Sequence, residues 1–260
     1  MGDGVAYRYL WSPEGPWAVH LIEADLAGRC NLGLQVLRSA AREAGGRGLE
    51  TVSSMADRLE AAPMVVVNAD FFTAEGTTVG TEIVDGVVTA VHPRPALAWR
   101  PGSSPWMGMP DIDAASIGVG WSVPRSDGDG RTEVVGGFPT LIHEGARVGD
   151  LGVVERPGFA ARRHPRTAVG FNPDSGSLWI VVVDGRQAPY SMGMTLPELA
   201  DLFERLGATE AINLDGGGSS VMVLGTKAVS RPSDAAGERA VANGVALVRD
   251  PGQCGINFPR

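Results

Sequence analysis

The sequence has two cysteines in 260 residues, Cys30 and Cys254, with no Cys-x-x-Cys and no Cys/His zinc spacing. The pair forms one disulfide tying the two ends together or stays as two free thiols. No apolar run approaches the roughly 20 residues of a spanning helix. The longest runs, Met64 to Val67 and Leu178 to Val183, have strand length. No leader is visible, because an alternating segment follows Met1-Gly2-Asp3 where an apolar h-region would stand. That reads as a cytoplasmic protein or as a chain whose leader has been removed. Positive charge is not in excess either: 22 basic against 30 acidic side chains give −8, which argues against a non-specific nucleic-acid binder. The 36 glycines show no Gly-x-y period, so collagen is excluded, and with 18 prolines they indicate many turns between short strands. No internal repeat and no clear linker occur.

What is present fits one globular unit. Hydrophobic residues make up 43% of the chain, enough for a sizeable core. Val5 to Leu10, Trp17 to Leu26 and Leu32 to Leu37 alternate as strands. A helix is expected from Ser53 to Ala62, stopped by Pro63, and then a buried strand from Met64 to Asn68. Asp85-Gly86 marks a hairpin. Pro93 to Pro110 reads as a long loop, and Ala115 to Val123 and Arg131 to Val135 as strands. Between those two strands the acidic run 126–130 has Phe138 where a calcium loop from Asp127 needs Glu, so it reads as a turn.

The second half is more sharply marked. Thr167 to Asn172 and Leu178 to Val183 form a hairpin. Thr195-Leu196-Pro197-Glu198 opens a helix with a capping box, Leu196, Leu199, Ala200, Phe203 and Leu206 form its apolar stripe, and Gly207 ends it. Strands follow at Ala211 to Leu214, Ser220 to Leu224 and Val241 to Val248. The fold expected is α+β: a single domain, 1–260, with a mostly β mixed-sheet core and a few flanking helices. Its N-terminal part, 1–59, is β-rich.

The strongest chemical signal is Asp215-Gly216-Gly217-Gly218-Ser219-Ser220 after the strand Ala211 to Leu214. Three glycines cost backbone entropy, and they let N–H groups approach an anion closely. A strand, not a helix, follows, and no Gly-Lys-Ser/Thr occurs, so a Rossmann or P-loop reading is poor. The final glycine of a nucleophile elbow is missing. His143-Glu144 has Arg147 where a zincin needs its second histidine. Asn68 and Asp70 follow one apolar run and Asp184 another, so polar groups end three buried strands and converge on one pocket. His164, Arg166 and Arg186 add cations suited to an anionic substrate. His20, His92 and His143 carry no partner pattern. Of six tryptophans, Trp99 and Trp106 lie in or beside a loop, where a sugar platform would stand.

Asn68-Ala69-Asp70-Phe71-Phe72, Gly136-Gly137-Phe138-Pro139-Thr140-Leu141, His164-Pro165-Arg166-Thr167-Ala168-Val169-Gly170, Val183-Asp184-Gly185-Arg186 and Asn213-Leu214-Asp215-Gly216-Gly217-Gly218-Ser219-Ser220 together resemble the phosphodiester glycosidase family. Arg231-Pro232-Ser233-Asp234 and Arg239-Ala240-Val241-Ala242-Asn243 resemble its closing segment. The resemblance spans about 60–248. One departure is that Ala69 and Asp70 replace two glycines usual in relatives, which adds a carboxylate.

The resemblance implies hydrolysis of the sugar C1–O bond of a sugar-1-phosphodiester or related glycoside. Phosphate is a good leaving group and needs little protonation, so cations, N–H donors and one carboxylate near C1 suffice. Asp215, Asp184 and Asp70 are then the catalytic candidates. Asn68, His164, Arg166, Arg186, Gly216, Gly217, Gly218 and Ser219 are the substrate-binding ones. The implied partner is a carbohydrate or sugar-phosphate, with no nucleic acid and no membrane span. No cofactor is required; a divalent cation such as calcium belongs to the alternative of a metal-dependent phosphodiesterase held by Asp70, Asp184 and Asp215. A non-catalytic carbohydrate-binding domain is the other alternative. The family's usual location implies a secreted or extracytoplasmic protein with Cys30 and Cys254 bridged.

Overall fold

Strands that alternate in sequence pair into antiparallel sheets in the computed structural model, which describes residues 4–27, 29, 31–60, 63–100, 103–113, 116–118 and 132–249. The largest sheet has seven strands in the spatial order Val5–Ser12, Trp17–Asp25, Ser177–Val183, Arg166–Asn172, Glu210–Asn213, Thr140–His143 and Ala146–Arg147. A second sheet orders Lys227–Ala228, Met222–Leu224, Val65–Asn68, Asn243–Arg249 and Leu32–Arg38. A third orders Val87–Ala90, Glu82–Val84, Glu133–Gly136, Ala96–Trp99 and Trp106–Gly108. Asp111–Asp113 pairs separately with Ser116–Gly118.

Side chains alternate across each strand, so a strand packed on both faces is apolar throughout. Ser177–Val183 shows this. Ile180 and Val182 join Val67, Met222 and Val245 between the first and second sheets. Trp179, Val181 and Val183 pack the other way, onto Leu199 and Phe203 of the helix Leu196–Leu206. Leu199 and Phe203 are fully buried, and each such burial contributes roughly 2–3 kcal/mol. The helix Val52–Asp57 covers the outer face of the second sheet through Val52, Met55 and Ala56. The layers are therefore helix, sheet, sheet, helix, a single α+β domain.

Several expected elements change. The helix placed at Ser53 to Ala62 is only Val52–Asp57, capped by the Thr51 hydroxyl. Arg58 leaves it to bind Glu43 and Glu50. The loop placed at Pro93 to Pro110 contains the strands Ala96–Trp99 and Trp106–Gly108; the prolines border these strands and none lies inside them. The short helices Ala40–Glu43 and Pro157–Ala160 and the hairpin of Thr140–His143 with Ala146–Arg147 were not expected. Cys30, Cys254, the 126–130 turn and most of the strand placed at Ala115 to Val123 lie outside the described residues.

Antiparallel pairing fixes the site's position. It sets the start of Arg166–Asn172 beside the ends of Ser177–Val183 and Glu210–Asn213. Residues 164–165, 184–186 and 214–218 therefore share one sheet edge. Asp184 and Asp215 follow the two strands that flank Arg166–Asn172, so their backbones stand two strand spacings apart, about 10 Å.

Candidate active site

Asp215 leaves the strand Glu210–Asn213 with its backbone clamped. Its N–H donates to Ala69 O at 2.8 Å, and its carbonyl accepts from Asn68 Nδ2 at 2.6 Å. Its carboxylate accepts from the Gly216 amide at 2.8 Å, and the residue as a whole is partly exposed. Burial pushes its pKa up, while Ser219, the Gly216 amide and the Arg239 charge oppose the rise.

The glycines do two different things. Gly217 has φ +65°, and a Cβ there would stand 3.0 Å from the Arg186 guanidinium. At Gly218 a Cβ would collide with the Arg239–Asp234 ion pair, whose N–O distance is 2.7 Å. Both cations thus lie directly over the loop. The amides are less free than an open nest would need. Gly216 N–H goes to Asp215 and Gly217 N–H to Pro165 O, which leaves Gly218 N–H as the one of the three without an acceptor among the described residues. Residues 217–219 form a single 3₁₀ turn that buries Gly218 and Ser219 before the strand Met222–Leu224.

Arg186 and His164 act as a pair. Arg186 donates to His164 Nδ1 at 3.2 Å, and His164 Nε2 donates to Gly158 O at 2.9 Å. That arrangement needs the neutral Nε2–H tautomer, which fits the lowered His164 pKa, caused by burial and then by the charges of Arg166, Arg186 and Arg162. Arg186 itself is exposed, with φ +59°.

Other expected site residues turn out to be braces. Asn68 is fully buried, accepting from the Thr167 hydroxyl at 2.7 Å and Val221 N at 3.2 Å, so it ties three strands together behind Asp215. Arg166 points to the helix side of the sheet, under the Phe159 ring, and donates to the carbonyls of Met194, Phe159 and Arg162. Burial lowers its pKa to about 10, the Arg186 charge adding to the effect. A guanidinium that is 1% exposed and gives three bonds to carbonyls holds a loop.

Asp184 is 1% exposed and fully engaged. Its Oδ2 accepts from Tyr190 OH at 2.8 Å and contacts His20 Nε2 at 3.1 Å, and its Oδ1 accepts from Arg231 N at 2.9 Å. His20 Nδ1 meets Tyr7 OH at 2.9 Å. Asp70 is wedged against the backbones of Gly80 and Gly136. It takes the Gly80 amide at 2.7 Å on one oxygen and nothing on the other among the described residues. Burial raises its pKa to about 7, partly offset by the Gly80 and Phe71 amides. The edge thus brings Asp215, Arg186, His164 and the glycine loop together, with Asp184 at its flank and Asp70 sealed behind.

Sequence reasoning missed His20, Tyr190 and Arg231 around Asp184, and the Arg239–Asp234 pair over the loop. Of the two tryptophans expected in or beside a loop, Trp99 is 4% exposed and Trp106 is half-buried, while Trp11 is 53% exposed on the edge strand Val5–Ser12. Among the described residues no three His, Cys, Asp or Glu side chains are placed to hold a metal ion.

The chain is similar to known proteins in sequence and fold. SPbeta prophage-derived uncharacterized protein YomE of Bacillus subtilis (strain 168) is 32% identical over 216 residues, 76% of this chain and 30% of that protein. The chain therefore spans under a third of that relative's length. The catalytic domain of zebrafish N-acetylglucosamine-1-phosphodiester alpha-N-acetylglucosaminidase, solved auto-inhibited by its pro-peptide, superposes with TM-score 0.68 and 19% identity, covering 95% of this chain and 82% of that one. A Burkholderia pseudomallei K96243 protein, named as a candidate exported protein, gives 0.64 and 23% over 90% and 74%. Residues 62–248, which hold Asp215, the glycine loop, Arg186, His164 and Arg239, match phosphodiester glycosidase as a family, and the chain belongs to that family of glycosidase-type hydrolases.

Proposed function

We propose that the protein hydrolyses the C1–O bond of a sugar-1-phosphodiester, with Asp215 as the carboxylate at the anomeric carbon. The supporting observation is that, of the three candidate carboxylates, only Asp215 is partly exposed, and the glycine loop that follows it lies against Arg186 at Gly217 and Arg239 at Gly218. Water adds its oxygen to C1, and the phosphate monoester leaves with the bonding electron pair. Asp215 either takes the water's proton or attacks C1 first, and its charge stabilises the oxocarbenium-like transition state. Arg186, Arg239 and the Gly218 amide receive the negative charge that builds on the departing phosphate. Asp184 fixes Tyr190 and the Arg231 segment at the flank and does not itself transfer a proton. The zebrafish relative's name supports a phosphodiester-linked aminosugar as a first substrate to test. The exported relative supports an extracytoplasmic location.

The metal-dependent alternative needs Asp70, Asp184 and Asp215 on one cation, and their separate surroundings argue against it. Turnover is accordingly expected to survive chelator. The direct test is a panel of sugar-1-phosphodiesters and chromogenic glycosides with products identified by mass, run on wild type and Asp215→Asn. The variant should fold and lose at least about 100-fold in kcat, roughly 2.7 kcal/mol. A folded Asp215→Asn protein of near-normal activity removes the assignment. Incorporation of labelled water into phosphate, and not into the sugar, would move the cleavage to phosphorus.

A further inference from the structure

Arg8, Arg38, Arg42, Arg58, Arg147 and Arg163 are among the arginines of this acidic chain that pair with carboxylates. Arg94 and Arg156 form no ion pair among the described residues, although the Arg94 charge acts on the buried Asp70 carboxyl. Instead their guanidinium carbons lie 5.8 Å and 5.2 Å from the centroid of one ring, Phe138. A single ring face quadrupole attracts each cation modestly at an exposed site, but two like charges gathered on one residue repel each other. An anion between them would remove that repulsion, and guanidinium forks match phosphate and carboxylate geometry.

The pair sits beside the active-site edge. Phe138 N–H donates to Asn213 O at 2.7 Å, and Asn213 Nδ2 returns a bond to Phe138 O at 2.7 Å, two residues before Asp215. Phe159 stacks on Phe138 at 6.4 Å and meets Phe71 edge-on at 6.1 Å. The residue before Phe159 supplies the carbonyl that orients His164, which in turn holds Arg186. A continuous rim therefore runs from Arg186 through His164 and Phe159 to Phe138 with its two arginines.

We infer that Arg94 and Arg156 form a second anion subsite, so that the substrate carries another anionic group, phosphate or carboxylate, beyond the scissile phosphodiester. This rests on the phosphodiester glycosidase reading for its link to turnover, but not for binding itself. Two measurements separate them. In the first, a sugar-1-phosphodiester with a methyl aglycone is compared with analogues whose aglycone bears a phosphate monoester or a carboxylate. For wild type the added anion should lower KM about tenfold at unchanged kcat, as one charged hydrogen bond allows. The Arg94→Gln/Arg156→Gln double variant should lose that gain and keep wild-type kinetics on the methyl compound. A gain with phosphate alone defines a phosphate subsite; an equal gain with carboxylate defines a general anion subsite. No gain in wild type, or a gain that survives in the double variant, overturns the inference.

The second measurement is calorimetric titration with inorganic pyrophosphate in an Arg186→Gln background, where the anion site above the glycine loop is weakened. Adding the double substitution should weaken binding at least about tenfold. Unchanged affinity overturns the subsite even if no phosphodiester is turned over. Lack of turnover with a tenfold loss of pyrophosphate binding would instead retire the reaction and keep the subsite. Arg156 is exposed and Arg94 half-buried, and thermal melts should show the variants folded.

Discussion

A carboxylate can serve chemistry only if its lone pairs are not all spoken for. Asp184 spends both oxygens on Tyr190, His20 and Arg231, and Asp70 is shut between glycine backbones. Asp215 keeps an exposed edge and has its ionised form supported by Arg239. The direction of that support gives a prediction. Burial raises the Asp215 pKa and the Arg239 charge lowers it, so Arg239→Gln should move the acid limb of kcat/KM to higher pH. A pH–rate profile decides it. A uniform loss at every pH would mean that Arg239 only binds substrate. The sequence made Asp215 legible because an apolar strand ending in an acid and three glycines has few structural uses. It could not say which way Arg166 and Asn68 point. Both stand at the correct strand ends, but Thr167 and Arg166 alternate across the sheet, and Arg166 falls on the helix side. His20 was illegible because its partner Asp184 is 164 residues away.

At the scale of elements, local chemistry was readable wherever one motif decided the outcome. The helix Leu196–Leu206 has the expected capping box, with Thr195 Oγ1 accepting from Glu198 N at 3.1 Å and Glu198 Oε2 from Thr195 N at 2.9 Å. Gly207 closes it at φ +86°. Thr195→Ala removes one half of the box and should cost about 1 kcal/mol, read as a lower urea midpoint at unchanged m-value. A change below a few tenths would mean that the rest of the helix end already satisfies the Glu198 amide. Elements were lost where their signals were masked. Ala96–Trp99 and Trp106–Gly108 are three or four residues long between prolines, too short for a period to register. The turn Glu144-Gly145 takes positive φ at both residues, 49° and 76°, yet lacks the Asn-Gly or Asp-Gly that announces such a turn. The helix Val52–Asp57 ran long in the sequence because Leu59 continues its apolar face after Arg58 has turned to Glu43 and Glu50.

Across the whole molecule, buried charge fastens the N-terminal strands and helices to the rest. Glu82 is completely buried and accepts from both Arg42 nitrogens at 2.8 Å, from Thr89 and from Asn243, whose other side-chain atom takes the Asp70 amide. Burial alone would raise the Glu82 carboxyl, but donation from Arg42 and Thr89 outweighs it and holds the pKa below the usual range. Glu133 ties the strand Leu32–Arg38 to the Glu82–Val84 hairpin by accepting from Val36 N and Asp85 N, and burial drives its pKa up to about 8. Asp70 stands at about 7. These shifts have opposite signs for stability. A lowered carboxyl stabilises above its unfolded pKa, and the benefit is lost as pH falls through the folded value. A raised carboxyl binds its proton more tightly in the fold than in the unfolded chain, so stability declines from about pH 4 until the folded pKa is passed. Glu82 therefore sets an acid limb, and Asp70 and Glu133 set a decline that runs up to pH 7 and pH 8. Urea midpoints taken through that range should fall as pH rises. Asp70→Asn keeps the shape of the neutral acid and should flatten the decline below pH 7, by up to about 1.4 kcal/mol per pH unit for one proton. An unchanged slope in a folded Asp70→Asn variant would show that the Asp70 carboxyl holds no proton there.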